Sequence, residues 1–155
     1  MQATVGSSVF RGVWIALLCA LVSACVTATE TRQRYSTEEL ASLLGQSGYE
    51  ITGQTDKALS LRKNDVPFGL LVFPNGNILA IHGVVTKDLS ASDLNDWNKE
   101  SVLTRAYIDD EGDPVIEADL RVESGFSAAR IRKFTDTFLE QCAYFNQYVA
   151  VKSRS

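Results

Sequence analysis

The chain holds one histidine and three cysteines, the latter at positions 19, 25 and 142. One histidine excludes a three-histidine metal site and a His-x-x-x-His pair. That histidine, His82, sits in a strand-like apolar run, where a packed ring is the ordinary outcome and a triad base a rare one. Three scattered cysteines with no Cys-x-x-Cys pair give neither a disulfide framework nor a zinc site. Basic residues number 15 against 19 acidic ones, a net charge of −4. A dedicated nucleic-acid binder shows a basic stripe instead. Gly-rich phosphate loops, Gly-x-Ser-x-Gly and basic-aromatic patches are absent from the sequence, as are internal repeats. The apolar run of nine from Val13 to Leu21, even extended to Ala24, stops far short of the roughly 20 residues that cross a bilayer.

What remains is ordinary globular material. Apolar residues make up 45% and charged residues 22% of 155 positions, enough for one domain plus extras. The extras are N-terminal. Arg11 and the run after it have the size and charge of a signal-peptide core. The segment closes on Val22-Ser23-Ala24-Cys25, which resembles a bacterial lipoprotein signal. Small side chains admit a peptidase, and the cysteine thiolate is the nucleophile that accepts lipid. Cleavage at a nearby secretory site, with Cys25 a bystander, is the competing reading; an uncleaved anchor is a third. Val26 follows the cysteine, where an aspartate would resemble an inner-membrane retention signal. The expectation is therefore a signal over 1–24, a lipidated Cys25 with a polar tether to residue 34, and a domain over 35–151. The expected location is the bacterial cell envelope, on the outer membrane facing the periplasm.

Three helix starts share one grammar. Ser36 caps with Glu39 three residues on, Ser90 caps with Asp93, and Ser127 caps a third helix. Tyr35, Leu89 and Phe126 precede these caps and staple onto Leu40, Leu94 and Ile131. Gly48 ends the first helix. Ile131, Phe134, Phe138, Cys142, Phe145 and Val149 form a stripe at helical spacing. Strands are expected at Tyr49–Thr52, Ala58–Lys63, Phe68–Phe73, Ile78–Val85, Thr104–Asp109 and Val115–Val122. Asn75-Gly76 is a strong two-residue hairpin signal. It pairs Phe73 with Ile78 and Leu71 with Ala80, placing Leu71, Phe73 and Ile78 on one face. Leu70, Val72, Leu79 and Ile81 fall on the other. In the second hairpin a two-residue turn would mix the faces. A three-residue turn Asp110-Glu111-Gly112 opposes Ala106 to Ile116 and Arg105 to Glu117, with Gly112 left-handed at a bulge. The fold class is α+β: an antiparallel sheet of five or six strands with three helices, in the order α-β-β-β(-β)-α-β-β-α.

From Leu94 to Phe145 the chain resembles the YbjN family of bacterial sensory-transduction regulators. The residues that carry the resemblance are Asn95-Asp96-Trp97-Asn98, Arg105-Ala106-Tyr107-Ile108-Asp109, Gly112, Glu117-Ala118-Asp119-Leu120 and Gly125. The resemblance implies a fold like that of type III secretion chaperones, in the order read above, and a regulatory role without catalysis. The export signal is a departure from the cytoplasmic-type chains of that family.

No catalytic, cofactor-binding or metal-ligating set emerges. Cys142 reads as a small buried hydrophobe. Asp109, Asp110, Glu111 and Asp113 lack the spacing of a calcium loop and read as a solvated acidic turn. Trp97 reads either as an interface anchor or as a cover for the sheet edge, with Asn98 bonding a strand-leading backbone group. Arg105, Tyr107, Glu117, Asp119 and Arg121 share an outer sheet face. The expected function is binding of a protein partner or a second copy, with the membrane reached through lipid on Cys25. Candidate contacts are Phe73, Leu71, Ile78, Trp97, Asn98, Arg105 and Asp119. The alternative is an envelope sensor taking a small ligand or peptide between the sheet and the long helix.

Overall fold

The computed structural model describes residues 31–123 and 125–154; the signal and Cys25 lie outside them. Among the described residues the order is α1 (Thr37–Gly45), β1 (Glu50–Gln54), β2 (Ala58–Lys63), β3 (Val66–Val72), β4 (Ile78–Gly83), α2 (Ala91–Glu100), β5 (Arg105–Ile108), β6 (Pro114–Leu120) and α3 (Ala128–Lys152). The strands make one antiparallel sheet, ordered β1-β2-β3-β4-β6-β5. This is the α+β architecture expected, with six strands.

The helix starts form as read. Ser36 and Glu39 complete one capping box, Ser90 and Asp93 a second, and the Ser127 hydroxyl accepts from Arg130 N–H. Each box satisfies two amide donors that a helix start leaves open. After α1, Gly48 takes φ +81° and lets Tyr49 N–H reach back to Leu44 C=O. α1 covers β1 and β2, α3 covers β3, β4 and β6, and α2 lies along β5. The core between them holds Leu40 and Leu44 of α1, Leu94 of α2, and Ile131, Phe138, Cys142, Phe145 and Val149 of α3. Against these stand Leu59, Leu61, Phe68, Leu70, Val72, Ile78, Ala80, Ile116 and Leu120 of the sheet.

The β3–β4 register differs by one residue from expectation. Gly69 pairs with Ile81, Leu70 with Ala80, Leu71 with Leu79 and Val72 with Ile78. Pro74 is the cause. A two-residue turn at Asn75-Gly76 would make Pro74 donate an amide hydrogen to its partner, and proline has none. Phe73 takes that place: its N–H donates to Asn77 C=O at 2.9 Å, and Gly76 N–H donates to Phe73 C=O. The loop is then Pro74-Asn75-Gly76, with Gly76 at φ +90°. Because side chains alternate, a one-residue slip exchanges every side chain of the slipped strand between faces. Ile78 therefore joins Leu70 and Val72 under the helices, 1% exposed. Leu79 and Ile81 join Leu71 and Phe73 on the other side.

The two-residue hairpin of this sheet is elsewhere. Lys63 pairs with Val66 across Asn64-Asp65, both left-handed at φ 52° and 61°, a conformation Asn and Asp tolerate best after glycine. The β5–β6 turn has the three-residue form expected of it. Asp109 N–H donates to Asp113 C=O, Gly112 sits at φ +84°, and Arg105 pairs with Glu117.

Residues 31–34, expected within the tether, lie against the domain. Arg32 and Phe126 exchange backbone hydrogen bonds of 3.2 and 2.9 Å. Tyr35 stacks on Phe126 with ring centroids 5.8 Å apart. A Cβ on Gly76 would run into Gln33 C=O, and one on Gly125 would approach Thr31 and Arg32 within 3 Å. Two glycines thus clear the path along which this segment joins the domain.

Candidate functional site: the open face of the sheet

All three helices of the described residues serve one face, so the other is the candidate site. Cross-strand pairing assigns its rows. One runs Gly53, Ser60, Gly69, Ile81, Glu117, Arg105; the next runs Ala58, Leu71, Leu79, Asp119. Phe73, opposite Asn77, begins the next row beside the 74–76 turn and is 43% exposed. Leu71, Leu79 and Ile81 are half-buried. Val115, beside Gly83, is the one buried side chain on this face among the described residues. Three shallow hollows line the same side. One of about 330 Å³ lies between Phe73, Asn77, Asp119 and Arg121. A second, about 410 Å³, opens over Ser60, Gly69, Ile81 and Gly83. A third, about 310 Å³, is bordered by Leu103, Arg105, Glu117 and Asp119. The face is thus an apolar strip over β3 and β4, dished by glycines and flanked by charge over β6 and β5.

The charged half satisfies itself in part. Arg105 Nε donates to Glu117, Arg105 also reaches Asp119 at 3.4 Å, and Arg121 stands 4.0 Å from Asp119. The hydrogen bond to Glu117 holds the Arg105 guanidinium above its ordinary range. The Arg105 and Arg121 side chains are exposed, whereas Glu117 is largely buried.

The other candidates fall elsewhere. Ile78 is core, as described. Asn98 seals the β5 edge: its amide donates to Ala106 C=O at 3.0 Å while its Oδ1 accepts from Ala106 N–H at 2.7 Å. It imitates a neighbouring strand where the sheet would otherwise end open. Trp97 is half-buried on α3, its ring 5.1 Å from Phe145 and 5.4 Å from Tyr148, with Nε1 donating to Thr104. The Asn98 bonds are those of the edge-cover reading, while the Trp97 ring packs against α3.

The chemically suggestive groups are occupied. His82 is 4% exposed. Its Nδ1 lies 2.7 Å from Pro67 C=O and its Nε2 2.8 Å from the Asn146 amide group. A carbonyl only accepts, so Nδ1 carries the hydrogen. Burial pushes the Cys142 thiol up to about 12, far from a nucleophile's range. Lys87 reaches into the acidic turn, bonding Asp113 at 2.9 Å and Glu111 C=O, and holds the Asp113 carboxyl below its usual range. Among the described residues no group of three or more His, Cys, Asp or Glu is placed to hold a metal, and no helix is long and apolar enough to cross a membrane. Phe138, Cys142 and Phe145 fill the space between the sheet and α3, so a ligand there would have to displace core side chains.

Sequence reasoning missed Leu79 and Ile81 as open-face residues. The signal was present in Pro74. It also missed the glycine row, which only the register reveals.

The family model described as "Putative bacterial sensory transduction regulator", YbjN, matches residues 36–150. No curated protein matches the chain. A solved structure it is similar to is the Yersinia pestis type III secretion chaperone SycH in complex with a stable fragment of YscM2. Identity is 14%, the TM-score is 0.49, and the match covers 70% of this chain and 94% of that one.

Proposed function

We propose that this chain, which belongs to the YbjN family, works without catalysis as a lipid-anchored envelope protein that binds a partner polypeptide on the open face of its sheet. One observation carries the binding half. The helices cover a single face, leaving Leu71, Phe73, Leu79 and Ile81 as a strip beside the Arg105–Glu117–Asp119 pairs. Adjoining apolar side chains rimmed by charge suit a protein contact. The apolar strip supplies affinity, and the exposed Arg105 and Arg121 can exchange internal partners for those of the bound chain. In the regulatory role that the family description suggests, occupancy of this face is the event transmitted.

The anchoring half rests on Val22-Ser23-Ala24-Cys25. With Arg32 bonded to Phe126, six residues lie between Cys25 and the first residue tied to the domain, at most about 25 Å when extended. The chain joins the domain beside the 74–76 turn, so that end of the open face would lie toward the membrane.

Photo-crosslinking from membranes tests the binding, with the reactive residue placed at Phe73 or Leu79 and, as control, at Lys133 on the exposed side of α3. Adducts from the first two and not the third are expected. Equal adducts from all three, or none from the sheet, would remove the proposal. For the anchor, fatty-acid labelling should be present in the wild type and lost in Cys25→Ser.

A further inference from the structure

Away from the sheet face, a cavity of about 210 Å³ opens between the end of α2 and the middle of α3. Its walls are Trp97, Glu100 and Ser101 from one helix and Gln141, Tyr144 and Tyr148 from the other. The spacings, i, i+3, i+4 and i, i+3, i+7, put each trio on one helix face. Two of the rings are locked. Trp97 and Tyr148 stand 5.4 Å apart at 64°, like adjoining walls. Their polar tips are used outside the cavity: Trp97 Nε1 donates to Thr104 and the Tyr148 hydroxyl to Asp93 C=O. The rings therefore offer their π systems rather than hydrogen-bonding groups. Tyr144 completes the set, 60% exposed.

The electrostatics of the cavity favour positive charge from three sides. Aromatic quadrupoles attract cations. The α2 C-terminus, with its open carbonyls and negative dipole end, adjoins Glu100 and Ser101. The nearby bases are already spent: Lys99 pairs with Asp96, and Lys152 with Asp93 and Asp96. Glu100 enters no ion pair among the described residues, so its charge at the cavity wall is not neutralised. Lys152 Nζ stands 5.6 Å from the centroid of the Tyr148 ring, a distance at which that ring attracts a cation.

We infer that this cavity is an aromatic cage for a small methylated ammonium group. Its volume lies below the range of drug-sized pockets and suits a headgroup-sized ion. The three aromatic rings are matched by methyl groups, which pack on π faces without needing hydrogen-bond acceptors, while Glu100 at the rim balances the charge. The site lies in the helix layer, so it goes beyond the proposed use of the sheet face and fails or stands independently of it.

Calorimetric titration of the full chain in a non-ionic detergent tests the cage, with choline as the probe. Its neutral carbon isostere, 3,3-dimethylbutan-1-ol, tests whether charge is recognised. Choline should bind and the isostere should not. Tyr144→Ala should weaken choline by about three- to ten-fold, and Glu100→Gln by about two- to five-fold. Both positions are exposed, so folding is not at stake. Dihexanoylphosphatidylcholine below its micellar concentration separates the sources: tighter binding than choline marks a lipid headgroup, and equal or weaker binding a free solute. Absence of choline binding at tens of millimolar, equal binding of the isostere, or no effect of either substitution would overturn the assignment.

Discussion

Leu70 and Leu71 are neighbours on the same strand with the same side chain, yet the first is 0% exposed and the second half-buried. The contrast extends across the sheet: Leu70, Val72, Ile78 and Ala80 on one face, Leu71, Phe73, Leu79 and Ile81 on the other. The two sets are equally apolar. What separates them is that α1 and α3 lie on the first and no helix of the described chain lies on the second. Hydrophobic content therefore marks β3 and β4 as central strands but does not say which face is core. A face as apolar as the core that stays uncovered is the physical basis for reading it as a contact surface.

The largest effect expected is on the covered side. Leu70→Ala should cost about 2–5 kcal/mol, the range for deleting a fully buried leucine against well-packed neighbours. Leu71→Ala should cost less, about 1–2 kcal/mol, because the side chain is only partly buried and its removal leaves no closed cavity. Urea denaturation of the two variants measures the difference. Equal costs would mean that something covers the open face in the folded domain, and the comparison would collapse.

Next come the two three-residue turns, alike in backbone and different in surroundings. A Cβ on Gly76 meets the Gln33 backbone, whereas one on Gly112 meets only the Lys87 side chain at 3.5 Å. Gly76→Ala should cost about 3 kcal/mol, combining left-handed strain with overpacking. Gly112→Ala should cost about 1 kcal/mol, the strain alone. Similar values for both would show that residues 31–34 do not hold the position described, and that the chain joins the domain by another path.

Much of this was legible beforehand, and the failures have physical causes. Ser36, Ser90 and Ser127 marked the helix starts because capping is local chemistry, decided within four residues. The β5–β6 turn was legible because alternation on both strands constrained its parity. The β3–β4 register was not, because both faces of that hairpin are apolar and any parity looks acceptable. There the decision passed to one missing amide hydrogen, at Pro74. Asn98 was legible as an edge cover only by its residue type. Phe73 and Leu71 lie on the open face as read, Ile78 does not, and no pattern in Leu79 or Ile81 separates them from Leu70 or Ala80. The cage at Trp97 depends on which turn of α2 meets which turn of α3, a distance no periodicity encodes.

Asn98→Ala should cost about 1–3 kcal/mol by leaving the Ala106 backbone without its two bonds. It would also open the β5 edge. Concentration-dependent sedimentation of the variant, absent in the wild type, is therefore expected. A variant as stable and as monodisperse as the wild type would show that water replaces the side chain and that the edge needs no cover.

The smallest effect concerns the charged half of the open face. Arg105 bonds Glu117, and its own side chain is 59% exposed. Glu117 is largely buried, but the guanidinium it meets stays in water, so solvent screens the pair and ordering the arginine side chain opposes it. A double-mutant cycle of Arg105→Ala and Glu117→Ala should give a coupling of less than about 1 kcal/mol, falling further with added salt. The same Arg105→Ala should reduce crosslinking from Phe73 by more than its stability loss explains, because a guanidinium released from Glu117 is free to pair with the bound chain. A coupling above about 2 kcal/mol would make the pair a structural tie. The apolar strip alone would then remain as the surface on which a partner could dock.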